Sequence, residues 1–268
     1  MARIIAHRGA RSLAPENTLA AARIAREAGA DLWETDVTVT KGGEMVLLHD
    51  ESLARTTDVQ DRFPDREPWH CSAFTLDEIR SLDAGSWFMK TDPFGLIAAG
   101  EVGQQDLSSY RGEKVPTLRE ALRFTGDTSF PINLELKRLP PALEGFPLVE
   151  RVLAMIDDLA IDHGLVVISS FHHAWLREIR MRTRSIVVQA LIGDSETEAP
   201  DWGGELEFGT YNVRSTLIDE AQIRLVTQRG ISLNLFTVNE AEEMLRFTRA
   251  GAAGLFTDFP QRAVALLR

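Results

Sequence analysis

Short apolar runs alternate with amphipathic stretches along most of this chain. The runs predict strands at Ile4–Ala6, Leu32–Thr38, Ile132–Leu136, Leu165–Ser169, Ile186–Leu191, Leu206–Tyr211, Ser232–Thr237 and Gly254–Phe256. Between most of them, apolar residues recur at helical spacing: over Thr18–Ala28, Leu148–Leu159, Ala174–Arg182, Asp219–Gln228, Glu240–Ala250 and Pro260–Leu267. Strands that alternate with helices argue for a parallel sheet. Closed on itself, such a sheet is an α/β (β/α)8 TIM barrel; left open, it is a doubly wound sheet.

Two features interrupt the alternation. Glu44–Leu48 reads as an extra short strand behind the Lys41-Gly42-Gly43 turn, extending or hairpinning from the second barrel strand. From Ala54 to Lys114 there is no clean strand–helix unit, only one short helix near Leu76–Leu82 among Pro, Gly and Phe-rich patches. A segment this long is expected to carry function or a small substructure of its own. It reads as an insertion at about 54–114, beside the barrel mouth, within one domain spanning 1–268. The 268-residue length suits that reading, since such barrels commonly run to about 250 residues.

Composition narrows the function classes. A net charge of -11 argues against a broad basic face for nucleic acid. It also means that an enzyme acting on a phosphodiester must invert the field locally, with a cation or with placed Arg and Lys. The single cysteine, Cys71, allows no internal disulfide. The N-terminus shows no signal-peptide core, and no apolar stretch is long enough to cross a bilayer. A cytoplasmic protein without a stable membrane anchor is the expectation; oligomeric state is not legible.

The candidate chemistry gathers at predicted strand ends, which in a barrel face the active-site mouth. The first strand ends in His7-Arg8-Gly9. The second carries Glu34 and Asp36, which point to one side under period-two alternation. The Glu44–Leu48 strand ends in His49-Asp50, and the third barrel strand ends in Glu135-Leu136-Lys137. Carboxylates converging on one face repel unless a cation or base sits between them. Three oxygen donors favour a hard ion, Mg²⁺ or Ca²⁺, over Zn²⁺. Two imidazoles flanking a metal suit a general acid and a general base, and Arg and Lys suit transition-state charge on a phosphate.

The order of these pieces resembles the glycerophosphodiester phosphodiesterase family. The likeness runs through His7-Arg8-Gly9-Ala10, Pro15-Glu16-Asn17-Thr18, Glu34-Thr35-Asp36 and His49-Asp50-Glu51-Ser52-Leu53 with Arg55-Thr56-Thr57. It continues through Asp83-Ala84-Gly85-Ser86-Trp87-Phe88, Val115-Pro116-Thr117-Leu118, Glu135-Leu136-Lys137, Phe236-Thr237-Val238-Asn239 and Thr257-Asp258-Phe259-Pro260. Each piece is weak alone; the ordered series is specific. The resemblance implies a (β/α)8 barrel with a small insertion after the second strand. It implies one divalent cation, Mg²⁺ or Ca²⁺, held by Glu34, Asp36 and Glu135. His7 and His49 would be the acid–base pair, with Arg8 and Lys137 at the phosphate and Phe236 walling the substrate. The implied reaction yields glycerol 3-phosphate and an alcohol from a small glycerophosphodiester, through a cyclic phosphate.

Two departures stand out. Phe236 occupies a position where many members carry Trp, and a polar run separates Phe94-Gly95 from Gly112-Glu113-Lys114, a loop expected to influence the head group. A phospholipase D-like relative is the alternative enzyme, disfavoured by the single cysteine. A zinc amidohydrolase would need His-x-His on the first strand. A non-catalytic phosphate-binding barrel would have lost a member of the set, and none is missing. His70, His163, His172 and His173 are expected to be structural or at the surface, and Cys71 inert. Ser169-Ser170-Phe171 at the fourth strand's end are candidate pocket residues, and Asn17 is expected to N-cap the first helix.

Overall fold

The computed structural model of this chain describes residues 1–194 and 199–268. Its strands are β1 (Arg3–Ala6), β2 (Leu32–Val39), β3 (Met45–Leu47), β4 (Ile132–Leu136), β5 (Val166–Ser170), β6 (Val187–Ile192), β7 (Thr210–Arg214), β8 (Ser232–Phe236) and β9 (Gly254–Thr257). They pair in the order β1-β9-β8-β7-β6-β5-β4-β2-β3, and β1 also pairs with β2. All these pairings are parallel except β2–β3, so the sheet closes into the predicted barrel and β3 hangs outside it. Every residue of β2, β5 and β9 is buried. That double burial explains why these strands read as continuous rather than alternating apolar runs.

The β2–β3 hairpin does specific work. β2 overshoots the mouth, turns at Thr40–Gly43, and returns as β3 with Val37 opposite Leu47 and Val39 opposite Met45. The Leu48 amide then donates to the Asp36 carbonyl at 3.0 Å. His49 is thereby delivered to the level of Asp36 although it belongs to no barrel strand.

At the first strand's end, Arg8 and Gly9 both take positive φ, 56° and 80°. A Cβ at Gly9 would lie 2.6 Å from the Ala21 Cβ, so only glycine lets the loop pack this close to the first helix. That helix, Leu19–Glu27, is capped by Thr18, whose hydroxyl accepts from the Ala21 amide at 3.1 Å. Asn17 is therefore not the cap. It sits at φ 56° and turns its amide toward β2.

The elements follow expectation with local shifts. The sixth barrel strand is Thr210–Arg214 rather than Leu206–Tyr211. Leu206 and buried Phe208 pack on the core from irregular chain, and Gly209 separates them from the true strand. The helix Leu118–Thr128, unassigned from sequence, carries a Thr117–Glu120 capping box and buries Leu118, Ala121, Leu122 and Thr125.

The irregular segment forms two small cores. Leu53, Val59, Cys71, Phe74, Ile79 and Leu82 pack under Val46 and Leu48 of the hairpin arm. Phe88, Leu96, Val102, Leu107 and Tyr110 pack on Ala14, Ala20 and Ala21 of the first loop and helix. No helix among the described residues is long and apolar enough to cross a membrane.

Candidate active site

Glu34 and Asp36 share the inner face of β2, and Asp36 is in register with Glu135 on β4. One carboxylate oxygen from each lies within 4.8 Å of the others. Glu34 and Asp36 are buried. The Arg8 amide donates to one Glu34 oxygen at 2.9 Å, but the other, Oε1, is buried without a hydrogen-bond partner. An unpartnered buried oxygen on a carboxylate clustered with like charges is the signature of a missing counter-ion.

The electrostatics agree. Burial, then Asp36 and Glu135, push the Glu34 carboxyl well above its ordinary range. Glu135 is pushed up chiefly by burial. Burial opposes ionisation of Asp36 too, but Lys137 and Arg8 outweigh it and hold that carboxyl low. The Lys137 ammonium sits 2.8 Å from Glu135 and 3.5 Å from Asp36, so it half-neutralises the cluster from one side. Asn17 completes the frame: its amide donates to Asp36 Oδ2 at 2.9 Å and accepts from the Thr35 hydroxyl at 2.7 Å. Three hard oxygen donors, one of them unpartnered, fit a divalent cation.

The two histidines are built alike. His7 Nδ1 lies 2.7 Å from Asp258 Oδ1, and His49 Nδ1 lies 2.7 Å from Asp50 Oδ1. Each carboxylate fixes its ring and tautomer, leaving Nε2 for chemistry. Asp258 is itself held by Asn239, whose amide donates at 2.8 Å. Burial would raise Asp258, but His7 and Arg11 outweigh it and hold its carboxyl at about 2. The imidazole of His7 is lowered, first by burial, against the opposing bond from Asp258. The ring is 16% exposed and that of His49 34%, so both reach the mouth. Glu16 lies behind them. Burial would raise it, but Arg55, Arg8 and Arg11 hold it at about 2.

These groups open on a cavity of about 410 Å³. His7, Arg8, Glu34, His49, Glu135 and Lys137 line one side; Ser169, Phe171, Leu191, Arg214, Phe236 and Phe256 line the other. Phe236 meets Phe171 and Phe256 edge to face, at 6.1 and 6.3 Å. A second chamber of about 240 Å³ shares His49, Glu135, Lys137 and Phe171, and reaches outward past His70, Cys71 and Ser72.

The structure thus brings together all eight residues singled out for the site, with Ser169. Among the remaining histidines, His163 bonds Ser185 and Asp157, and His173 bonds the Leu191 carbonyl. His70 and His172 line the outer chamber. Cys71 is buried, which pushes its thiol up to about 12. The insertion reaches the outer chamber through His70–Ser72, while the segment after Phe94 packs on the first loop and helix. Asp50 and Asp258, the carboxylates behind the imidazoles, carry no site role legible in the sequence, nor do Glu16, Arg55 and Arg214. Arg214 was lost with the misplaced sixth strand. The Asp258 partnership spans 251 residues and is legible only once β1 and β9 are known neighbours.

Comparisons with known proteins agree with this fold. A model of the glycerophosphoryl diester phosphodiesterase family matches residues 7–262. A glycerophosphodiester phosphodiesterase from Caldanaerobacter subterraneus is 33% identical, over 99% of this chain and 97% of its own. A solved structure of a candidate glycerophosphoryl diester phosphodiesterase from Silicibacter pomeroyi superposes with a TM-score of 0.81 at 27% identity. It covers all of this chain and 93% of that one. An Oleispira antarctica phosphodiesterase, solved with its product sn-glycerol-3-phosphate, superposes at 0.78 with 25% identity, over 99% and 96% of the two chains. With the family's match running from the first histidine to the last helix, over a closed barrel whose mouth carries this set of groups, the chain belongs to the glycerophosphoryl diester phosphodiesterase family of hydrolases.

Proposed function

We propose that this chain hydrolyses small glycerophosphodiesters to glycerol 3-phosphate and an alcohol, using one divalent cation and a pair of histidines. The observation that carries the reading is the matched pair of carboxylate-held imidazoles, each with a free Nε2, flanking a triad of converging carboxylates. Glu34, Asp36 and Glu135 would hold Mg²⁺ or Ca²⁺. Bound there, the cation would act as a Lewis acid on the non-bridging phosphate oxygens.

The chain's own groups do the rest. Arg8 and Lys137 add fixed positive charge beside the phosphate, where charge builds in the transition state. Burial would lower Lys137, but Asp36 and Glu135 outweigh it, so the amine stays charged across the working pH range. The substrate glycerol has a hydroxyl next to its phosphorylated one. One imidazole takes that hydroxyl's proton as its oxygen attacks phosphorus, and the other protonates the departing alcohol oxygen. A cyclic glycerol phosphate results. In the second half the roles exchange: one imidazole activates water, and the other returns a proton to the ring oxygen as the P–O bond opens. Phe236 offers the glycerol carbons an apolar wall. An acidic mouth that carries Arg8 and Lys137 answers the problem posed by the net charge, since the field is inverted only locally.

The test is a substrate lacking the neighbouring hydroxyl. The deoxy analogue should be cleaved at least about 10²-fold more slowly, as intramolecular attack is lost. Cleavage as fast as the parent diester would mean that water attacks phosphorus directly.

A further inference from the structure

Glu16 takes no part in the steps above, yet its carboxylate is the most heavily bonded group near the site. It lies on the loop between β1 and the first helix, with its side chain only 2% exposed. Oε1 accepts from Arg8 Nη1 at 2.9 Å and from Arg55 Nη2 at 2.7 Å. Oε2 accepts from Arg55 Nη1 at 2.9 Å and pairs with Arg11 Nη2 at 2.9 Å. One negative charge is thus enclosed by three guanidiniums.

Each guanidinium spends its remaining charge on another carboxylate. Arg55 Nε donates to Asp50 Oδ2 at 2.6 Å, and Asp50 holds His49. Arg11 Nη1 lies 3.6 Å from Asp258 Oδ1, and Asp258 holds His7. Arg8 Nε lies 3.4 Å from Asp36 Oδ2 in the acidic triad. Phe94 packs its ring against the Arg11 guanidinium at 5.3 Å, which limits the remaining freedom of that arm. Guanidinium forks are planar and rigid, so each transmits orientation as well as charge. The two imidazoles stand on separate arms of the mouth, His7 just past β1 and His49 just past β3. A continuous polar connection between them runs through Glu16, by way of Asp258 and Arg11 on one side and Arg55 and Asp50 on the other.

We infer that Glu16 is a positioning residue: one buried carboxylate that sets the mutual geometry of both acid–base dyads through Arg11 and Arg55. The role follows from what the reaction demands. Acid and base exchange duties between the two half-reactions, so both Nε2 atoms must keep a fixed relation to phosphorus through both. Referring the two rings to a single buried anion supplies that relation. The inference rests on the two-histidine reading.

The experiment compares two glycerophosphodiesters, one with ethanol and one with p-nitrophenol as leaving group. Nitrophenolate departs without protonation, so loss of the general acid is masked on that substrate and loss of the general base is not. His7→Ala and His49→Ala run beside Glu16→Gln, Arg11→Gln and Arg55→Gln. Of the two histidine variants, one should recover on the nitrophenyl substrate. Its own arm, Arg11 for His7 or Arg55 for His49, should recover with it, and the other arm should not. Glu16→Gln, which loosens both arms, should lose about 10²-fold in kcat/KM on both substrates, with KM nearly unchanged. If Glu16→Gln fails to fold, the two arginine variants still decide the matter. Arginine variants that lose equally on both substrates, or pair with the wrong histidine, overturn the inference while leaving the two-histidine reading intact. Histidine variants that retain full activity overturn the reading itself, and the inference with it.

Discussion

The two halves of the barrel mouth are made from the same kind of strand and hold opposite contents. The arc of β1, β2, β4 and the β3 arm presents His7, Arg8, Glu34, Asp36, His49, Glu135 and Lys137, tied to Asp50, Asp258, Glu16 and Arg55 behind them. The arc of β5 to β9 presents Ser169, Leu191, Arg214, Phe236 and Phe256, with Phe171 just past the end of β5. One arc is a lattice of charges tied to one another; the other is a largely aromatic wall with a single guanidinium, Arg214. The difference indicates where tolerance lies. In the charged arc the arginines, Lys137 and the carboxylates beside them are one another's counter-ions, so deleting one such partner strands a buried charge. In the aromatic arc a deletion removes shape.

That contrast ranks the expected effects. His7→Ala and His49→Ala should each lose at least about 10²–10⁴-fold in kcat, the usual contribution of a positioned acid or base. The double variant should lose far less than the product, because the two act as a unit. Steady-state kinetics with circular dichroism checks both points. Multiplicative losses would mean the histidines act independently and would break the picture of one coupled lattice.

Next comes the pH dependence of stability. Glu34 and Glu135 have folded-state pKa values raised above the ordinary 4.5. Their contribution without metal is therefore fully present below that value and is lost as pH rises through the raised pKa. Glu16 and Asp258, held at about 2, act oppositely: their contribution is present above the ordinary carboxylate range and lost as pH falls toward about 2. A bound cation cancels the penalty at Glu34 and Glu135. The gain in Tm from Mg²⁺ or Ca²⁺ should thus grow as pH rises above the ordinary carboxylate range, through the raised values of Glu34 and Glu135. At a hundredfold excess over Kd it should correspond to about 2.7 kcal/mol. A gain that is absent, or flat with pH, would contradict the placement of the cation among these carboxylates.

The smallest effect belongs to the aromatic arc. Phe236→Ala should raise KM by roughly 3- to 10-fold with little change in kcat, since a partly exposed apolar contact is worth about 1 kcal/mol. Phe236→Trp should be nearly neutral. A large kcat loss in Phe236→Ala would show that the wall positions the reacting atoms as well as the glycerol carbons.

The charged arc was also the more legible in sequence. Its members stand at strand ends in short clusters such as His7-Arg8 and Glu34-Thr35-Asp36, where local periodicity assigns them a common face. What was illegible depended on contacts distant in sequence. Asp258 meets His7 only because β9 closes against β1. Asn17 looked like a helix cap because Asn is a good one. Thr18 holds that position instead, leaving the Asn17 amide for Asp36. The sixth strand slipped because Leu206 and Phe208 are as apolar as strand residues while serving the core from a loop. The Leu118–Thr128 helix was missed because its apolar stripe is short and flanked by irregular chain, although its capping box was present in the sequence.

The central claim is metal-dependent cleavage of a glycerophosphodiester at the charged arc, and phosphorus NMR of a single reaction tests it most directly. Purified protein with Mg²⁺ or Ca²⁺ should convert a glycerophosphodiester quantitatively to glycerol 3-phosphate and the free alcohol. The conversion should stop in excess chelator and resume when the cation is restored. A diester signal that never declines with either cation, or one that declines undiminished in excess chelator, would contradict the account.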